Sequence, residues 1–313
     1  MEERASIRGL PAHAAGVFEE IAACHVSAAG TYLVFDRRAH AVYTFSRGAD
    51  APQKIVQIGG ETGRIISPTA FDSALDGTFM VADAPGPLRR VQFFAPSGAS
   101  LGGFTIAGRA VPLVFVGDVT RSGLGALKYT GSSVLMSQPE TGALVTEYGL
   151  DGTPRRAFGE LRATGQERDP ALHEALNVGL TLPLARGGFY YVFLTGAPMF
   201  RKYDADGKLA FERHVQGIEV DPYMSQMPGS WRRRTTDKEI PLVPSMIRTA
   251  AVDPAGNLWV SLVAPFTYVY DATGEKRRTL QFRAAGIVAP TSLFFTRDAR
   301  LLVAPGCYVF GAH

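Results

Sequence analysis

Six histidines stand at positions 13, 25, 40, 173, 214 and 313, and imidazole is the side chain that most readily ligates a transition metal or moves a proton near neutral pH. No two share a His-x-x-x-His or His-Glu-x-x-His spacing, so a metal site would have to be assembled from distant segments, with His25, His40 and His173 as ligands. Structural or surface histidines are the commoner outcome of such scatter. Arg232-Arg233-Arg234 could grip a carboxylate or phosphate through paired guanidinium donors. The run lies near Tyr223, Met224 and Trp231, apolar residues that a purely solvated loop has little reason to carry. Three arginines beside Asp237 and Glu239 make no long basic stripe, which argues against nucleic acid as a partner. Gly59-Gly60-Glu61-Thr62-Gly63 lacks a following Lys-Ser/Thr pair and no Gly-x-Ser-x-Gly elbow occurs, so neither a nucleotide fingerprint nor a serine hydrolase is indicated.

The elements that must position these groups are short apolar strands that recur six times. They are Leu33-Val34-Phe35-Asp36, Phe79-Met80-Val81-Ala82-Asp83, Val134-Leu135-Met136-Ser137, Tyr190-Tyr191-Val192-Phe193, Leu258-Trp259-Val260-Ser261 and Leu301-Leu302-Val303-Ala304. Each is too short for a helix and rich in β-branched or aromatic residues. A turn precedes each one, usually with glycine (Ala29-Gly30, Asp76-Gly77, Thr130-Gly131, Arg186-Gly187, Ala255-Gly256) and once without it (Asp298-Ala299). A further strand and, in most units, a second glycine turn follow, so the unit is a four-stranded meander. A period of about 40 to 70 residues is the spacing of propeller blades with insertions. The fold class predicted is all-β, a six-bladed β-propeller of four-stranded antiparallel blades closed into a ring by the amino-terminal strand.

The whole chain, 1–313, is read as one domain. The last repeat leaves no residues for an outer strand, and residues 4–10 are expected to supply it, pairing an otherwise open edge. Cys24 and Cys307 come onto neighbouring blades once the ring closes. An inner strand and a third strand lie at different radii, so buried free thiols are expected in preference to a disulfide.

Composition limits the classes of function. Among 313 residues 46% are hydrophobic, 34 are Gly and 20 are Pro, which describes a turn-rich globular chain and excludes disorder. A formal charge of +3 is too small and dispersed to imply nucleic acid or membrane. No apolar run reaches the length of about 18 residues that a membrane helix needs. Met1-Glu2-Glu3-Arg4 is acidic where a secretory leader starts basic, so a cytoplasmic protein is expected, or a periplasmic or secreted one whose leader has been removed.

Ile58-Gly59-Gly60-Glu61-Thr62-Gly63 through Pro68-Thr69-Ala70, Asp76 through Asp83 and Arg90-Val91-Gln92-Phe93-Phe94 resemble the NHL-type six-bladed propellers, and Ala250 to Tyr270 repeats the middle of that pattern. The resemblance implies the architecture. It leaves the activity open, since the family includes enzymes, ligand binders and adaptors. It also makes Asp36 with Arg37 or Arg38, and Asp83 with Arg89 or Arg90, pairs that fasten loops.

Two insertions, 162–176 and 218–246, fall in loops of one face and flank the fifth blade. Asp169 and Pro170 are placed to start a short helix. The functional expectation is a non-enzymatic propeller, without cofactor, that binds a small molecule or a protein partner at the capped channel mouth near blades 4 and 5. Tyr223, Met224, Trp231, Arg232, Arg233, Arg234 and His173 are its candidate contacts. The alternative is a hydrolase or lyase with a divalent metal held in the central channel by His25, His40 and His173.

Overall fold

Each repeat folds as an antiparallel meander in the computed structural model, which describes residues 2–46, 48–85, 89–106, 113–116, 119–122, 127–225, 231, 233–235, 239–283 and 290–311. From the axis outward, blade 1 is Ile21–Val26, Tyr32–Asp36, Ala41–Phe45 and Gln53–Val56. Blade 2 is Ala70–Ser73, Phe79–Asp83, Arg89–Phe94 and Ser100–Ile106, and blade 3 is Leu127–Tyr129, Val134–Ser137, Val145–Tyr148 and Pro154–Phe158. Blade 4 is Gly179–Pro183, Phe189–Phe193, Met199–Tyr203 and Leu209–His214. Blade 5 is Ile247–Val252, Leu258–Leu262, Thr267–Tyr270 and Lys276–Arg283, and blade 6 has Ser292–Phe295, Leu301–Ala304 and Tyr308–Phe310. The chain is a six-bladed β-propeller.

Blade faces pack on blade faces, which is why the second strands are apolar without alternation. Between blades 1 and 2, for example, Leu33, Phe35 and Val42 meet Phe79, Val81 and Phe94, all buried. The turns into the second strands take the left-handed conformation that glycine permits, as at Gly77 (φ 87°). The sixth has only Ala299, held at φ 58°.

Ring closure by the amino terminus differs in detail from the strand expected over residues 4–10 on the sixth blade. Glu2–Ala5 pairs in parallel with Lys276–Arg283, as a fifth strand on blade 5. The chain then crosses to blade 6, where Ile7 N–H donates to Val309 O (2.9 Å) and Val309 N–H to Arg8 O (2.8 Å). Arg4 ties the two together by donating to Gly311 O at 2.7 Å. One short segment thus covers the edge of one blade and bridges to the next. The tetrapeptide Glu-Glu-Arg-Ala has no hydrophobic alternation to specify a register, which is why sequence pattern alone misplaces it.

The free-thiol expectation is also corrected. Cys24 and Cys307 form a disulfide, with Cα atoms 5.5 Å apart. Cys307 stands in the tight turn before the third strand of blade 6, not within that strand, and its φ is 49°. The turn brings it to the side of Cys24 that faces blade 6, beside Leu302 and Val309.

The strand-end acids fasten loops, with different partners. Asp83, fully buried, accepts from Arg90 Nε (2.7 Å) and Nη2 (2.9 Å) and from Ile66 N–H (2.9 Å). Asp36 instead accepts backbone N–H bonds from Glu19, Glu20 and Ala39, while Arg37 pairs with Glu20.

Candidate functional site

Loops that enter the inner strands carry the cap. The helix Pro170–Leu176 starts where expected, with Asp169 Oδ1 accepting from Leu172 N–H at 3.3 Å. Its Leu172, Ala175 and Leu176 are buried with Val243, and Trp231 packs against that cluster. A third excursion, missed in the sequence, joins them: a hairpin of Leu113–Val116 and Val119–Ser122 pairs in parallel with Val243–Pro244. A second hairpin, Arg233–Thr235 with Glu239–Pro241, lies within the longest insertion. Arg162 locks the cap to blade 4. Its guanidinium, buried and lowered to about 10 by that burial, donates to the carbonyls of Leu176, Thr195 and Ala197. Asn177 Oδ1 accepts from Arg162 N–H at 2.8 Å.

The candidate contacts separate. Trp231 belongs to the small core of the cap. Met224, on the short helix Asp221–Met224, packs against the blade 4–5 core, whereas Tyr223 is 37% exposed. Arg233 and Arg234 lie on a strand of the hairpin, and Arg232 lies outside the described residues. His173, on the cap helix, has Nδ1 2.7 Å from Thr164 Oγ1.

The three histidines of the metal reading do not meet. His40 lies in the loop between the second and third strands of blade 1 at φ 48°, its Nδ1 3.4 Å from Ser67 N. His25 is near the far end of the innermost strand of blade 1, with Nδ1 2.8 Å from Ser73 Oγ and its ring stacked on Phe294 at 4.2 Å. Among the described residues no three His, Cys, Asp or Glu side chains are grouped to hold a metal ion.

Below the cap face, the innermost strands of all six blades enclose a channel cavity of about 120 Å³. Its upper wall carries Thr69, Thr181, Thr249 and Thr291, and Arg37 reaches its edge. His25, Asp72 and Lys128 line it as well. Lys128 Nζ donates to Asp72 Oδ1 at 2.9 Å, and Tyr129 N–H donates to Asp72 Oδ2 at 2.7 Å. Burial, and then the charge of Lys128, holds His25 well below the usual imidazole range. Asp72 Oδ1 is 3.9 Å from its Nδ1, but that carboxylate is already neutralised by Lys128, so His25 is neutral. Asp72 and Lys128 went unnoticed in the sequence. The signal was present: a charged residue inside an otherwise apolar innermost strand can only face the axis.

No family model and no curated protein sequence matches the chain. Solved structures do match in shape. The chain is similar to a streptogramin B lyase, with TM-score 0.55 and 9% identity over 92% of this chain and 76% of that one. It is also similar to virginiamycin B lyase from Staphylococcus aureus, with TM-score 0.51 and 9% identity over 90% of this chain and 75% of that one. The shared fold is the six-bladed β-propeller. At such identity the likeness carries the fold and nothing of the chemistry.

Proposed function

We propose that the protein is a binding propeller of NHL-like type that takes a small ligand at the capped mouth of its central channel, near blades 4 and 5, without transforming it. The observation that carries this reading is the cap itself. Three separate excursions converge there, two of them on a common core of Leu172, Ala175, Leu176 and Val243 with Trp231 against it, and long loops that build such a structure are commonly functional. The disulfide fits an oxidising compartment, periplasmic or extracellular.

A thermal-shift screen of purified protein against small metabolites tests the reading. Compounds that raise the unfolding midpoint of the wild type should lose that effect in Trp231→Ala, whose half-buried indole costs the cap about 2 kcal/mol, while far-ultraviolet circular dichroism stays unchanged. Hits that are indifferent to this variant would remove the cap from recognition. A stoichiometric divalent metal, lost on substituting His25, would favour the hydrolase or lyase alternative.

A further inference from the structure

We infer that a cleft at the ring seam, on the face opposite the cap, binds a small organic anion with an apolar body, its carboxylate or phosphate head held by Arg8, Arg297 and Arg300.

The turns between first and second strands lie on the face away from the cap. Two of them, 27–31 in blade 1 and 296–300 in blade 6, stand on either side of the seam, and together with Arg8 of the amino-terminal segment they border an open cleft of about 670 Å³. That volume lies in the range of small-molecule sites. Arg8 is fixed in place because its carbonyl accepts from Val309 N–H at 2.8 Å. Three distant segments build the cleft, so it exists only in the closed ring.

Charge selects the head group. The lining carries three guanidinium groups, Arg8, Arg297 and Arg300, and one carboxylate, Asp298. That carboxylate is already engaged, with Oδ1 accepting from Thr296 Oγ1 at 2.5 Å and Oδ2 lying 2.8 Å from Arg300 Nε. The Thr296 hydrogen bond, and then the charges of Arg300 and Arg8, hold Asp298 below the usual carboxylate range, so both arginines are within electrostatic reach of one acid. The side chains of Arg8 and Arg297 make no hydrogen bond or ion pair among the described residues. Two positive charges are left over. Gathered like charges repel, and an anion between them removes that cost. Guanidinium forks fit the paired oxygens of carboxylate and phosphate.

The rest of the wall selects the body. Leu75 is 50% exposed and borders the cleft, held there by its carbonyl, which accepts from Ala28 N–H at 2.8 Å. Val26 and Tyr32 rest on the core between blades 6 and 1, stay partly exposed and line the same cleft. An inorganic anion leaves this surface wet, whereas an aromatic or aliphatic body covers it.

Calorimetric titration of the full chain at low ionic strength with phenyl phosphate and phenylacetate tests the inference, with inorganic phosphate and benzyl alcohol as controls that lack the body or the charge. Saturable one-to-one binding of at least one organic anion is expected, tighter than either control, and the better of the two identifies the head group. Arg8→Gln and Arg297→Gln should each weaken it about fivefold or more, and Leu75→Ser should weaken it too. All three positions are exposed, so the variants should keep the circular dichroism of the wild type. Arg186→Gln removes an exposed cation from the same face outside the cleft, and Trp231→Ala disturbs the cap; both should bind like the wild type. Absence of saturable binding by either anion overturns the site. So does equal weakening by Arg186→Gln, the mark of a general field. Inorganic phosphate binding as tightly as the organic anions overturns the apolar body. Binding lost in Trp231→Ala and kept in the arginine variants moves the anion to the cap and overturns the cleft.

Discussion

His25 shows how one buried side chain registers its surroundings. Its ring is shut between Phe71 and Phe294, bonded to Ser73 and close to Lys128, so the folded protein holds it neutral while the unfolded chain protonates it near pH 6.5. The unfolded state then binds more protons below that pH, and stability must fall as pH drops from about 6.5 toward the folded-state value. Chemical denaturation of the wild type between pH 7 and pH 5 should show this loss, with a slope approaching about 1.4 kcal/mol per pH unit. His25→Gln, which keeps a partner for Ser73, should flatten that slope, and an unchanged slope would assign it to other groups. Arg90 is the second residue worth removing. Arg90→Ala leaves the buried Asp83 carboxylate with the Ile66 amide as its remaining partner among the described residues, and should cost about 3 kcal/mol in urea unfolding.

The turns of the individual blades carry a prediction of opposite sign. Five of the six turns into second strands place glycine in the left-handed region, and the sixth forces Ala299 into it at φ 58°. Ala299→Gly should therefore stabilise the protein by about 0.5 to 1 kcal/mol, read as a higher urea midpoint at constant slope. The strands themselves were legible from sequence because each apolar run stands between turn residues that have a conformational reason to be there. The helix at Pro170 was legible for the same reason, through Asp169 and the proline after it. Other elements were less so. The hairpin Leu113–Val116 with Val119–Ser122 reads as one more apolar strand, and only its pairing with Val243–Pro244 makes it part of the cap. Trp231 could be singled out as an aromatic in a long loop, yet whether an indole meets a ligand or its own cap is decided by residues some 60 positions away. Asp72 and Lys128 come from neighbouring blades, so their pairing exists only once those blades pack.

The whole ring depends on its seam. Among the described residues blade 6 has three strands of its own, and the seam around it is held by the Cys24–Cys307 disulfide, whose cysteines are 283 positions apart in the sequence, and by the amino-terminal segment on blades 5 and 6. A cross-link over so long a loop restricts the unfolded chain by about 5 kcal/mol in the chain-entropy account. The double variant Cys24→Ser, Cys307→Ser should lose stability on that order. Alkylation of denatured, non-reduced wild type should modify neither cysteine, and two labelled thiols by mass spectrometry would refute the bridge. Deleting residues 1–8 should cost about 3 kcal/mol, from the backbone hydrogen bonds and the Arg4 contact with Gly311.

That amino-terminal strand also has a meaning in time. Its partners are Leu280 to Arg283, which a ribosome adding roughly 5 to 20 residues per second reaches only after about 15 to 60 s. Until then Glu2–Ala5 waits, tethered, with nothing to pair. When the outer strand of blade 5 does emerge, its covering strand is already made and close by. An edge that would otherwise invite pairing with a neighbouring nascent chain is closed by Glu2–Ala5 of the same chain as soon as it appears.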